Sequence, residues 1–128
     1  MFDLVLTNAP RIDVASRLHR YAYATDGSLP NPLESTYAAL AGCAGVYARK
    51  ACRALGLDES GIAISLKVVA SAGRPLIPAR VVTTVDFPEH FDEGQRKAVL
   101  ASIQKCAVKA LMTDGAGIEF LVEETAPG

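Results

Sequence analysis

The longest run of uncharged residues lies early in the chain, where Ser35 to Ala48 reads STYAALAGCAGVYA, fourteen residues bracketed by Glu34 and Arg49. Asn31-Pro32 just before it combines a capping side chain with a proline in the first turn, where a missing N–H costs nothing. Glu34 suits the positive end of the helix dipole. The pattern predicts a long helix from Asn31-Pro32 to about Leu55, stopped by Gly56. Its first half is apolar on every face apart from Ser35 and Thr36, which marks a buried helix, and its second half, Arg49 to Leu57, is amphipathic. One chain of 128 residues has difficulty covering such a helix on all sides, which points to a homodimer with the helix in or near the interface.

Alternation elsewhere predicts strands. Phe2 to Thr7 (FDLVLT) reads as a first strand, ended by Asn8-Ala9-Pro10, and Arg11 to Ala24 as a second extended region carrying Leu18, Tyr21 and Tyr23. Gly61 to Ser71 (GIAISLKVVAS) places Ile62, Ile64, Leu66 and Val68 on one face. Gly73-Arg74-Pro75 then turns the chain, and Ala79 to Phe87 returns as the other arm of a hairpin. Asp92 with Gln95 three residues on has capping-box spacing. It opens a second helix from Glu93 to about Met112, with Val99, Ile103, Cys106, Val108 and Leu111 as its buried set. Asp114-Gly115-Ala116-Gly117 ends that helix, and Ile118 to Glu123 reads as a last strand. The order β-β-α-β-β-α-β predicts an α+β fold, an antiparallel sheet built from hairpins with two cysteine-bearing helices, in a single domain over residues 1–128.

Composition narrows the function. Half the residues are hydrophobic and 21% are charged, which excludes a disordered chain. A net charge of −1 with no basic run argues against nucleic-acid binding and against polybasic attachment to a membrane. The start, MFDLVLTNAP, lacks the basic flank of a signal peptide, and no apolar stretch reaches transmembrane length. Three cysteines without an export signal fit a cytoplasmic, reducing location, where a cysteine pair is more often catalytic or redox-active than a structural staple.

Cys43 and Cys52 are nine residues apart on one predicted helix, hence on roughly opposite faces and about 13 Å apart, too far for a disulfide. Cys106, on another element, is the remaining candidate partner for Cys43. Ala39, Ala41, Gly42, Ala44 and Gly45 surround Cys43 with small side chains, which would let another helix approach closely. Free cysteine is also among the most buried residue types, so inert core thiols and a functional pair both stay open on these grounds. His19 and His90 lack metal-ligand spacing to the cysteines. Tyr37, Leu40 and Tyr47 fit core or dimer contacts, Cys52 an inert thiol, and Gly115 and Gly117 a turn with no helix after it to form a phosphate loop.

Two motifs carry a family resemblance. Asn31-Pro32-Leu33-Glu34 followed by Ala38-Ala39-Leu40-Ala41-Gly42-Cys43 is one. The other is FPEHFDEGQRKAVLASIQKCAVKALM, a strand ending in Phe-Pro, an acidic cap and a helix delivering Cys106. Together they resemble the OsmC/Ohr family of thiol peroxidases over most of residues 30 to 124. The resemblance implies an intertwined homodimer with both chains lining each site, and the reduction of organic hydroperoxides as an antioxidant activity. It implies that Cys43 is the peroxidatic thiolate, that Cys106 resolves its sulfenic acid to a Cys43–Cys106 disulfide, and that a dithiol of lipoyl type reduces it. That chemistry is sound, since the thiolate is the nucleophile and a resolving thiol prevents over-oxidation. No metal or organic cofactor is implied. Glu34, and an arginine for which Arg20 is preferred over Arg11 and Arg17, would complete the site.

The chain departs from the family pattern at two positions. Leu33 stands where well-studied members carry a glutamate, and Glu34 falls nine residues before Cys43, half a turn off its face, as in a less characterised OsmC-like branch. Ala107 stands where a proline often follows the resolving cysteine. The alternative reading is a dimeric module that binds a small apolar or acyl ligand without turnover. A purely structural protein with core cysteines would leave the coincidence of the two motifs unexplained.

Overall fold

The computed structural model describes residues 1–122. It is an α+β arrangement of three helices and two separate two-stranded antiparallel sheets. The first sheet pairs β1 (Arg11–Ala15) with β2 (Arg20–Ala24), Arg11 opposite Ala24 and Ala15 opposite Arg20. The single extended region expected over 11–24 is therefore a hairpin. Its turn is made by Ser16, whose Oγ accepts from the His19 N–H at 3.1 Å while its own N–H donates to the His19 carbonyl at 2.8 Å. A serine that bonds its own neighbourhood competes with the extended ladder, and Leu18 is consequently left exposed at the tip. The strand expected over 2–7 is reduced to one bridge, Asp3 to Ala15. Phe2, Leu4, Val5 and Leu6 are exposed, with no further ladder to hold them.

Helix α1 (Pro32–Leu55) begins and ends as expected: the Asn31 side chain accepts from the Glu34 N–H at 2.8 Å, and Gly56, at φ 67°, caps the far end in the left-handed region. Burial on every face is not achieved within one chain. Ala44, Ala48 and Cys52 form the buried stripe, whereas Val46 is 52% exposed and Leu33 is also exposed. One side of the helix is covered by its own chain, and the other is not.

The second sheet pairs β3 (Ala63–Val69) with β4 (Arg80–Asp86) in the expected hairpin, from Ala63 opposite Asp86 to Val69 opposite Arg80. Ile62 and Ile64 pack on the core and Leu66 is half-buried, but Val68 at the open end of the hairpin is exposed.

Helix α2 (Glu93–Ile103) carries the reciprocal capping box: Gln95 N–H to Asp92 Oδ1 at 2.8 Å and Asp92 N–H to Gln95 Oε1 at 2.9 Å. Asp92→Ala removes the acceptor for the Gln95 N–H and keeps the return bond, which is donated by the main-chain N–H of residue 92. It is expected to lower unfolding free energy by about 1 kcal/mol, measured by urea denaturation, and a value indistinguishable from zero would show the box to be idle.

The helix expected to continue to Met112 breaks after Ile103. The N–H groups of Lys105 and Cys106 bond three residues back, to Ser102 and Ile103, which tightens the last turn. Cys106 then leaves the helical region at φ −54°, ψ 132° and caps a new helix, α3 (Ala107–Asp114), its Sγ accepting from the Lys109 N–H at 3.5 Å. Cys106 thus lies between helices rather than within one. The new axis also undoes part of the expected buried set: Val108 is half-buried and Leu111 is 60% exposed. The strand expected over 118–123 is absent among the described residues. Residues 118–122 are unpaired and exposed, and Glu123 lies outside the described residues.

The core joins α1, α2, the 87–91 segment and the second sheet. Ala44, Ala48, Cys52, Phe91, Val99 and Ile103 are its buried members, with Ile62, Ile64, Val85 and Phe87 packed around them. Ser102 Oγ donates to the Tyr47 carbonyl at 3.0 Å and pins α2 against α1.

Candidate active site

The break between α2 and α3 brings the two motif cysteines together. Cys43 sits midway along α1 and is half-buried, and Cys106 is 2% exposed. All three cysteines are free thiols. Around the Cys43 sulfur stand the Cys106 thiol and the main-chain N–H groups of Val108 and Ala107, the first two residues of α3. Burial pushes the Cys43 thiol up. The Cys106 thiol, those two N–H groups and the positive charge of Lys50 outweigh burial, and its pKa is held below the ordinary thiol value. Cys106 moves the opposite way: burial raises it first and its hydrogen bond to Cys43 next, against the N–H groups of Lys109 and Val108. One thiol is thereby poised to ionise and its neighbour to stay protonated, a division that suits a nucleophile and its donor.

Cys52 takes no part. It is fully buried in the core, and burial followed by the charges of Glu59 and Asp58 raises its pKa.

The other expected site residues are not among the groups that act on Cys43 within one chain. Glu34 lies in the exposed first turn of α1. Helix geometry places it on the opposite face from Cys43 and about 13 Å along the axis. Arg20 opens β2 in the N-terminal hairpin and is exposed, Arg17 is exposed in the adjoining turn, and Arg11 pairs with Asp13 at 2.9 Å. None of these arginines is among the groups that act on Cys43. The cation that does is Lys50, whose Nζ lies 5.0 Å from the centre of the Tyr47 ring. Sequence reasoning missed Lys50, although its spacing, seven residues after Cys43, puts it on the same helix face two turns on. It also missed the N–H groups of Ala107 and Val108, for which no side-chain signal exists.

The small residues beside Cys43 divide by side. Ala44 faces the core, but a side chain added at Gly42 or Gly45 would meet nothing within 4 Å. Close helix approach inside the chain therefore uses Ala44 and Ala48, and the glycine side stays open. A cleft of about 610 Å³ reaches Cys106 between α1, β4 and α3. Leu40, Ile77, Val81 and Met112 give it apolar walls, and Arg80 and Lys109 contribute cationic ends. Among the described residues there is no cluster of side chains suited to a metal, and no helix is long and apolar enough to cross a membrane.

The α+β chain thus sets a cysteine midway along α1 beside a cysteine that caps α3. Residues 25–120 match the family described as OsmC-like protein, and the chain belongs to that family. Its fold resembles that of an OsmC-like protein from Mycoplasma pneumoniae, with a TM-score of 0.70, 11% identity, and coverage of 88% of this chain and 86% of that one. It also resembles a Psychrobacter arcticus protein assigned to osmotic stress induction and the detoxification response, with a TM-score of 0.68, 15% identity, and coverage of 84% and 83%. No curated protein matches the chain at a significant level.

Proposed function

We propose that the protein is a cysteine-based peroxidase that reduces organic hydroperoxides. The observation that carries this reading is the adjoining pair itself, Cys43 with a lowered pKa against Cys106 with a raised one. The Cys43 thiolate attacks the terminal oxygen of ROOH. The O–O bond breaks, RO⁻ takes a proton and leaves as the alcohol, and Cys43 becomes a sulfenic acid. Cys106 then attacks that sulfur. A disulfide forms, and the hydroxyl leaves with the Cys106 proton as water. A dithiol, of lipoyl type, reduces the disulfide and is itself oxidised to a cyclic disulfide. The apolar cleft beside Cys106 favours alkyl or lipid-like hydroperoxides over hydrogen peroxide. Membership of the OsmC-like family, and the detoxification role assigned to the Psychrobacter protein, support this reading.

The working form is a homodimer in the cytoplasm. The uncovered face of α1 and the exposed apolar residues Phe2, Leu6 and Val46 support burial against a second copy. In that dimer the second copy supplies Arg20 and Glu34 to the site. A second reading, an apolar or acyl ligand-binding module without turnover, is favoured by the 610 Å³ cleft together with the position of Glu34 on the face of α1 opposite Cys43.

The test is thiol counting and mass mapping under non-reducing conditions after one equivalent of an alkyl hydroperoxide. The expected product is a Cys43–Cys106 disulfide, reversed by dihydrolipoamide. Three unmodified thiols, reacting no faster than a small free thiol, would reject the peroxidase and leave the binding module.

A further inference from the structure

We infer that the cleft beside Cys106 selects its ligand by charge, taking an alkyl chain that ends in a carboxylate, and that Arg80 and Lys109 set this preference. The inference rests on the reading of that cleft as the substrate's way to the thiol pair, and adds the chemistry of the substrate's far end. The chain as a whole is slightly acidic, with 14 Asp and Glu against 13 Lys and Arg. The cleft is not: both of its charged side chains are cations, and among the described residues no Asp or Glu lines it. Neither cation is in an ion pair among the described residues. Arg80 opens β4, and Lys109 shares with Met112 and Thr113 the face of α3 that lines the cleft. The Lys109 Nζ donates to the Gln104 carbonyl at 3.2 Å, which holds the ammonium by the cleft and leaves it two further protons to donate. Both residues are exposed, so an anionic head would meet them at the solvent edge while its chain lay on the apolar walls of Leu40, Val81 and Met112. At about 610 Å³ the cleft has the size of a small-molecule site, and an apolar pocket with a few fixed polar groups orients its ligand by those groups. A cleft lined by charge of one sign also concentrates the opposite charge from solution.

Calorimetric titration of the reduced protein with octanoate and with octan-1-ol, ligands of one chain length that differ in charge, tests the proposal without peroxide. Octanoate should bind more tightly at low salt by about tenfold, and concentrated salt should shrink that advantage, as it does for exposed charges. Arg80→Met and Lys109→Met keep the length and apolar stem of each side chain. Each should cut the advantage about threefold, and the double variant should remove it. Arg80→Lys, which restores a cation, should retain it. Lys97→Met removes an exposed cation of α2 that does not line the cleft and should leave the octanoate advantage intact, which separates local recognition from net charge. Octan-1-ol binding as tightly as octanoate would overturn the proposal, as would no binding of either, or an advantage undiminished in the folded single variants. A protein that prefers octanoate but forms no disulfide with peroxide would reject the peroxidase and keep the charge selection for a binding module. One that forms the disulfide without that preference would do the reverse.

Discussion

Cys43→Ser is expected to slow peroxide reduction by on the order of a thousandfold or more, leaving no burst in the first equivalent. A serine hydroxyl keeps the position but not the ionisation: the groups that lower the Cys43 pKa cannot ionise an alcohol near neutral pH. Cys106→Ser should differ in kind. Its first equivalent of hydroperoxide is still consumed, because the nucleophile remains, but turnover stops and excess peroxide drives Cys43 to the sulfinic acid. The pH profile follows from the same shift. Since the thiolate is the reacting form, the rate of the first step rises with pH and levels off once Cys43 is ionised, and its lowered pKa puts that plateau below the pH at which an ordinary thiol levels off. Stopped-flow consumption of an alkyl hydroperoxide, with mass analysis of each variant, measures all three. A Cys43→Ser protein that turns over at the original rate would remove Cys43 from the chemistry.

Phe91→Ala is expected to cost about 3–5 kcal/mol of unfolding free energy, against a total of about 5–15 for a domain of this kind. Phe91 is 2% exposed in the core with Cys52 and Val99, and its ring lies 5.4 Å from that of Phe87. Arg96 fastens the same segment, its Nε donating to the Phe91 carbonyl at 2.9 Å and its guanidinium lying 5.8 Å from the Phe87 ring. The surrounding atoms therefore have little freedom to collapse into the space. Urea denaturation gives the number, and a loss below about 1 kcal/mol would mean that the site repacks. Because α2 packs on α1 through this core and leads directly to Cys106, the variant should also weaken the Cys43–Cys106 contact in whatever fraction stays folded.

Elements with local signals were legible in the sequence. Asn31-Pro32 and Gly56 mark both ends of α1, Asp92 and Gln95 the start of α2, and Gly73-Arg74-Pro75 the connection between β3 and β4, each through side-chain or backbone chemistry confined to a few neighbouring residues. The turn at Ser16 was the least visible of these, since a lone serine between apolar residues has many conformations open to it. The break before Ala107 carried no glycine or proline at all. Apolar spacing runs smoothly from Val99 to Leu111, and a helix period alone extends α2 through it.

By itself the sequence determined the two cysteine motifs, the α+β class, the hairpin of β3 and β4 and the termini of the long helix, because caps, turns and alternation act over a handful of residues. Tertiary structure alone decided that Cys43 and Cys106 stand together and that Cys52 is sealed in the core. It also decided which thiol has the lowered pKa. A pKa depends on what lies within a few ångströms in space, and the N–H groups of Ala107 and Val108 reach Cys43 from more than sixty positions further along the chain, through a helix break that no local pattern announces.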